Sequence, residues 1–292
     1  MRESLALLTA AAILAAAPMT ARGDWTLSGA ARLAHDDNVG NAQANVDKVQ
    51  DYSADARLSL YRLFPLDGGW SMSVGGDLAG EAYDNLTGLN NASIEGSLSL
   101  KKKWGLGAFA PWARAQFSLG RAEYRDGYRD ATLYRASLDL GKRIDERLNL
   151  WAQYSFERRA ASPGPELVPG VSGDAFSQSG NNLGATLEFA LGERIFLTAG
   201  ALWRTGDVVS TALIPWYYLY ESSDAIARDP TFGPNAIAYR LPGTTYGLKV
   251  GAEFSVNAHN SIGCGFQWLD THAKGGNDYN QSMPEITWNY RF

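Results

Sequence analysis

The sequence predicts an all-β fold: a twelve-stranded, antiparallel, up-and-down transmembrane β-barrel. Three observations carry that expectation. Apolar and polar residues alternate with period two along nearly the whole chain. Side chains alternate faces in a strand, so each such segment has one apolar and one polar face. The segments run to roughly 9–11 residues, the length a tilted strand needs to cross a bilayer. The connections between them alternate between short turns and long loops.

Taken in order, the chain opens with a predicted secretory signal over residues 1–21, cleaved after Ala21 or Gly23, and the barrel occupies 22–292. Arg2 supplies the leading positive charge, and residues 5–17 form an apolar run of 13 residues. That run is shorter than the roughly 20 residues a spanning helix needs, so a cleaved signal is favoured over an anchor. No Cys lies near the cleavage site, which excludes a lipid-anchored start.

The first strand places Trp25, Leu27, Gly29, Ala31 and Leu33 on one face, opposed by Thr26, Ser28, Ala30 and Arg32. The same reading gives apolar faces at Ala54–Leu60, Trp70–Leu78, Ala92–Leu100, Phe109–Leu119 and Tyr134–Leu140, each taken at alternate positions. Further faces follow at Leu148–Phe156, Leu183–Phe189, Ile195–Trp203, Tyr246–Phe254 and Ile262–Trp268. The last strand sets Pro284, Ile286, Trp288, Tyr290 and Phe292 against Glu285, Thr287, Asn289 and Arg291. Short turns are expected at 65–69, 101–107, 142–147, 191–194 and 257–260; they are rich in Asp, Gly and Asn. Longer loops are expected at 35–50, 84–90, 121–130, 159–178, 206–243 and 271–280. An even strand number puts both termini on the short-turn side. Pro284 lacks an N–H, which leaves pairing near that end of the last strand open.

Composition supports the reading by exclusion. With 45% hydrophobic and 20% charged residues, the chain is too apolar for disorder. A single Cys forbids a disulfide framework or a Cys-rich zinc site. A net charge of −5 without a basic block gives no footprint for nucleic acid. Aromatic residues gather near the ends of the segments, with Trp25, Trp70, Trp104, Phe109, Phe254 and Phe292 at one end. Tyr134, Phe156, Trp203, Tyr246 and Trp268 lie towards the other. Such girdles suit the two interfaces of a membrane. A soluble β-protein would instead have shorter strands, with their apolar faces turned inward.

Together the signal segment, the twelve alternating strands and the ending Ile286-Thr287-Trp288-Asn289-Tyr290-Arg291-Phe292 resemble a Gram-negative outer-membrane β-barrel protein, porin-like in character. The resemblance spans the mature chain. It implies an outer-membrane location with both termini periplasmic and lipid around the wall. It also implies delivery to the barrel-assembly machinery through a terminal signal carried by Trp288, Tyr290 and Phe292. The opening strand with His35-Asp36-Asp37-Asn38-Val39 also looks like the start of porin-like and protein-translocating barrels, although the periplasmic helical repeats usual in translocators are absent from the sequence.

Polar faces must then point inward. Inward carboxylates are predicted at Asp55, Asp77, Glu95, Asp139, Glu157, Glu188 and Glu253, and inward cations at Arg32, Arg57, Arg114, Arg135, Arg204 and Lys249. This near-balance argues against a pore tuned to one sign of charge. Two readings stay open: a narrow, weakly selective pore for small polar solutes, or a salt-bridged polar plug in a closed structural or assembly barrel. A barrel of this size lies between filled 8-stranded and open 16-stranded forms.

A third reading is an outer-rim hydrolase. Asp270-Thr271-His272 has the D-x-H spacing by which an Asp orients a water-activating His, and it looks like half of an omptin-type site. The other half would be sought at Asp36-Asp37, but the spacing and flanking Trp of that family are missing. No cofactor and no metal site is expected; a calcium loop at Asp36, Asp37 and Asn38 reads more simply as a solvated acidic loop. Cys264 is expected to face lipid as a small apolar residue. The 206–243 loop, with Trp216, Tyr217, Tyr218 and Tyr220, is long enough to suggest a function. It could constrict the mouth, or pack on itself above the barrel with a short strand extension.

Overall fold

In the computed structural model, residues 25–213 and 217–292 are described. The expected signal segment, its cleavage points and Trp216 lie outside those residues. The described chain forms thirteen strands: β1 (Trp25–Asp36), β2 (Asp51–Pro65), β3 (Trp70–Tyr83), β4 (Asn91–Lys103), β5 (Trp112–Tyr124), β6 (Ala131–Arg143) and β7 (Leu148–Ala161). They continue with β8 (Gln178–Ala190), β9 (Ile195–Ala212), the short β10 (Ala225–Arg228), β11 (Ile237–Ser255), β12 (Asn260–Ala273) and β13 (Asn277–Arg291). One short helix, α1 (Tyr217–Ser222), lies between β9 and β10.

Each strand except β10 pairs antiparallel with its two neighbours. The sheet closes through β1–β13, with Ala31 opposite Trp288 and Leu33 opposite Ile286. On the far side β9 pairs directly with β11, leaving β10 outside the hoop. Twelve strands therefore make the wall, in the up-and-down order the alternation predicts. Closure has a physical cause, because hydrocarbon offers no partner to a free backbone N–H or C=O. Among the described residues no helix is long and apolar enough to cross a membrane.

The register turns the apolar faces outward. Leu58 opposes Leu78, and Leu78 opposes Ile94. Leu98 opposes Phe117, and Leu138 opposes Tyr154. All of these but the half-buried Leu58 are exposed on the protein surface, as are Leu183, Leu248, Val250 and Phe266. A soluble sheet would bury such rows. Cys264 lies in the same outward row, opposite Ala252, and is exposed.

Two boundaries differ from expectation. Phe109 does not belong to a strand. It lies in the 104–111 turn, with the Arg143 guanidinium 5.9 Å from its ring centre. Pro111 stands directly before β5 and supplies no ladder donor. The expected 271–280 loop shrinks to residues 274–276, because β12 and β13 remain paired out to Ala273 and Asn277. Gly275 and Gly276 take positive φ there, so a tight turn suffices. At the opposite end, the 144–147 turn is fastened by Asp145, which accepts the N–H groups of Arg147 and Leu148 at 2.8 Å each. Those two bonds hold its carboxyl below the ordinary aspartate range.

Pro284 marks where β1 and β13 part. Their ladder stops at Ala34–Glu285, while β13 stays paired with β12 through Pro284 and beyond. Past that point side chains replace the ladder. Asp37 accepts the Ser282 N–H at 2.8 Å, Gln281 donates to Asp36 at 3.1 Å, and Asn38 donates to the Asn280 carbonyl at 3.2 Å. The Asp36-Asp37-Asn38 run is thus a seam closure.

A lipid-facing charge should be far more costly than a lumenal one. Leu98→Arg is expected to lower the unfolding free energy in phospholipid vesicles by about 2–4 kcal/mol, whereas Ser97→Arg, one residue away on the inner face, should cost much less. Urea titration followed by tryptophan fluorescence measures both. Equal losses would contradict the assignment of faces.

Candidate functional site: the lumen and its cap

The inner face carries the charges. Arg57, Asp77, Glu95, Arg114, Arg135, Glu157, Glu188, Arg204, Lys249 and Glu253 all stand at positions opposite in phase to the outward apolar rows. Their pairing follows the wall. Arg32 Nε lies 2.6 Å from Asp55 Oδ2, and the two residues are direct cross-strand partners. Arg114 Nε lies 2.7 Å from Asp139 Oδ2, again directly across. Arg135 and Glu157 repeat the arrangement at 3.0 Å. Asp139 is 2% exposed, and its other oxygen accepts from Gln153 at 2.6 Å.

The sequence list lacks two carboxylates, Glu81 and Glu285. Both are drawn to Arg32, at 3.9 and 3.4 Å. Glu285 also meets Lys249 at 2.6 Å, across the intervening β12. Glycine permits this reach: a Cβ on Gly265 would sit 3.0 Å from Glu285 Oε1. Glu81 in turn accepts from Asn91 at 3.2 Å. A belt of paired charge therefore runs along the wall from Lys249 on β11 to Glu81 on β3, where the Asn91 amide of β4 ends it. Glu285 already stood on a predicted polar face; what was missing was the register that brings it to Lys249.

Among the described residues, the lumen holds hollows at several depths. One of about 590 Å³ opens at the short-turn end beside Ser28, Glu253 and Asn289. Another, of about 360 Å³, lies against β2–β5 around Ser73 and Asp77. A third, of about 220 Å³, lies nearer the long loops between Glu95, Arg135, Glu157 and Arg204.

The long-loop end is covered. β9 and β11 continue as a ladder to Ala212–Ile237, and β10 adds a third strand against β11. At the base of this tongue Gly180, Gly206 and Gly243 are consecutive cross-strand partners. Gly206 has φ +144°, and a Cβ there would lie 2.3 Å from the Ser179 carbonyl oxygen. Only glycine fits that bend. Above it Val208, Leu219, Ile226, Tyr239 and Leu241 form a buried apolar cluster, with Leu167, Val168 and Val171 of the β7–β8 loop packed against it.

In a ring of twelve strands, the β9–β11 connection starts opposite the β3–β4 connection. The two nevertheless meet, because Thr231 packs against Gly88. Thr231 also donates to Asp126 at 2.8 Å. Asp229, fully buried, receives Arg129 at 2.6 Å and the Thr211 hydroxyl at 2.6 Å. Arg129 lies over Phe176, 4.5 Å from the ring centre. The β1–β2 loop joins through Asn41, which donates to the Val209 carbonyl at 2.8 Å. The segment thus extends its strands, as one sequence reading allowed. It also bridges the mouth to loops on the other side, so it does not pack on itself alone.

Asp270 and His272 share the outward row with Trp268 and Cys264, facing away from the lumen. His272 Nε2 lies 3.3 Å from Asp270 Oδ2, and Nδ1 lies 3.5 Å from Asp278 Oδ1. Asp36 and Asp37 are engaged in the β1–β13 seam and do not oppose this histidine. Among the described residues no group of His, Cys, Asp and Glu could hold a metal ion.

Closed wall, outward apolar belt and charged interior together define a transmembrane β-barrel of the kind outer-membrane channels use. No protein-family model matches the chain, and no curated protein matches it. Among solved structures it is similar to an outer membrane channel from Pseudomonas putida F1, with a TM-score of 0.56 and 13% identity over 94% of this chain and 99% of that one. It is also similar to the NanC porin, with a TM-score of 0.46 and 10% identity over 92% of this chain and 100% of the other. A third is the translocator domain of the autotransporter NalP from Neisseria meningitidis, with a TM-score of 0.44 and 11% identity over 100% and 94% of the two chains.

Removing the Asp229 carboxylate leaves Arg129 without its ion pair under the cap. Breaking a buried pair in this way costs about 3–5 kcal/mol. Asp229→Ala is therefore expected to loosen residues 217–236 towards protease while the wall stays folded. Limited proteolysis, read beside the heat-dependent gel shift of the intact barrel, checks this. Cleavage no faster than in the parent protein would count against the latch.

Proposed function

We propose that the chain is a porin-like channel in the outer membrane of a Gram-negative bacterium, passing small hydrophilic solutes passively. The supporting observation is the direction of its ion pairs. Below the cap they run along the wall, between strands that are neighbours or next neighbours, and not across the barrel. Each cation of these pairs is neutralised where it stands, and the hollows beside the pairs stay polar and open to water. A plug would need charges paired across the axis. Because the wall is locally neutral, field focusing is weak and selectivity between ions is modest.

On this reading both termini and the short turns face the periplasm, and the capped end faces outside. Lipid surrounds the wall, and the Trp288, Tyr290 and Phe292 row on β13 is what the assembly machinery reads. The bridged mouth favours one rival, a closed barrel with a structural or assembly role. The rim pair Asp270 and His272 remains a weaker hydrolase candidate. Its placement on the lipid-side row, away from Asp36 and Asp37, gives it little support.

Planar-bilayer recording separates channel from closed barrel. Discrete current steps are expected, larger in the cap-loosened Asp229→Ala variant. Arg57 and Glu188 face the lumen outside the ion pairs. Arg57→Gln should therefore move the zero-current potential towards cation preference, and Glu188→Gln towards anion preference. Absence of current from folded protein, with and without the cap latch, would rule out the channel.

A further inference from the structure

One patch of the inner wall is built from short, mostly hydroxyl-bearing side chains. On β2–β5 the inward positions include Ser59, Ser73, Gly75, Ser97 and Ser99, cross-strand partners or neighbours of one another. Short residues set the wall back, and the result is the 360 Å³ hollow. That volume falls in the roughly 300–1,000 Å³ range of small-molecule sites.

The chemistry of its lining is specific. Ser73 and Ser99 hydroxyls lie 2.7 Å apart, and each can donate or accept. Asp77 accepts from Ser59 at 2.5 Å through one oxygen, which leaves its second carboxylate oxygen for another donor. Lys101 stands on the opposite border, with its ammonium 4.3 Å from the centre of the Trp112 ring. Tyr61, on the inner face beside Gly75, offers an aromatic ring to the same space. Asp77 offsets Lys101, and Arg114, the second cation of the lining, is paired with Asp139, so the hollow keeps no net charge. Interchangeable hydroxyls, a carboxylate acceptor, an ammonium donor and a flat apolar ring match a polyhydroxylated ring with alternating polar edges and apolar C–H faces. They match a simple anion poorly, since both cations of the lining already have partners: Lys101 lies over the Trp112 ring and Arg114 is paired with Asp139.

We infer that this hollow is a binding subsite for neutral saccharides, met by solute on its way through the lumen. The inference rests on the channel reading only for the route of entry. A saccharide hydroxyl donates to the free oxygen of Asp77, the serines exchange hydrogen bonds with neighbouring hydroxyls, and one sugar face lies on Tyr61.

The test uses the folded mature protein with maltose as probe, and with glucuronate as its charged counterpart. Saturation-transfer NMR on detergent-solubilised protein reads binding directly, and maltose-induced block of the current reads it in the open channel. Maltose contact is expected, with preference over glucuronate. Asp77→Asn should weaken binding about tenfold, the loss that follows from one charge-assisted hydrogen bond, and Tyr61→Ala should also weaken it. Glu193→Gln, in the 191–194 turn, should bind as the parent does. No maltose signal, an unchanged affinity in both Asp77→Asn and Tyr61→Ala, or a preference for glucuronate would overturn the subsite. Maltose binding by a protein that carries no current would uphold the subsite and sink the channel reading.

Discussion

The constraint on which the rest depends is that a peptide group inside hydrocarbon must find its partner within the protein. A sheet can satisfy this only by meeting its own first strand. The β1–β13 ladder performs that closure, and where Pro284 ends it, the side chains of Asp36, Asp37 and Asn38 take over. The handover falls at the long-loop rim, where water and protein can supply partners. The same constraint sets the polarity of the wall. Once the backbone is paired, the outer surface has only side chains to match to lipid, so the Leu, Ile, Val and Phe rows face out and charged residues turn inward.

Two opposite burial rules therefore coexist in one chain. In the wall, apolar residues are exposed on the protein surface because lipid covers them. In the cap, Ile226, Tyr239 and Leu241 are fully buried, as in a water-soluble domain. The switch takes place within single strands. Along β11, Tyr246, Leu248 and Val250 face outward, whereas Tyr239 and Leu241 a few residues earlier pack into the cap core. Gly206, with a backbone conformation side-chain-bearing residues rarely adopt, sits at this change of medium. The hinge between the two regimes is thus built from residues without side chains, where the sheet must bend and approach itself closely.

This division also accounts for what could be read in the sequence. Period-two alternation reports one residue's face relative to the next, and that local quantity is what defines a wall strand. Strand number, facing and the inward charges follow from it. The interactions that escaped are those between distant parts of the chain. Arg32 meets Glu285 across 253 positions, and Asn41 meets Val209 across 168. Alternation put Glu285 on the polar face but could not say that Lys249 reaches it past Gly265. The cap was harder still. Its segment carries no sustained period, since α1, β10 and the turn around Pro230 each bury a different side. Its partners come from several loops, and loop pairing leaves no periodic trace.

The wall and the cap also make different demands on charge. In the wall, Arg and carboxylate groups sit on adjacent strands, so they relieve one another without moving and leave the axis clear. In the cap, the Arg129–Asp229 pair joins elements from separate sectors of the ring, and its burial makes it costly to leave half-made. The first arrangement favours a fixed, weakly charged passage. The second concentrates the hold on the mouth in a few contacts, any of which can be broken without unpairing a strand of the wall. A barrel built this way separates permanence from access: the hoop resists opening because its backbone bonds would face lipid, while the cover is tied to the other loops by side chains and a few backbone bonds that water can replace.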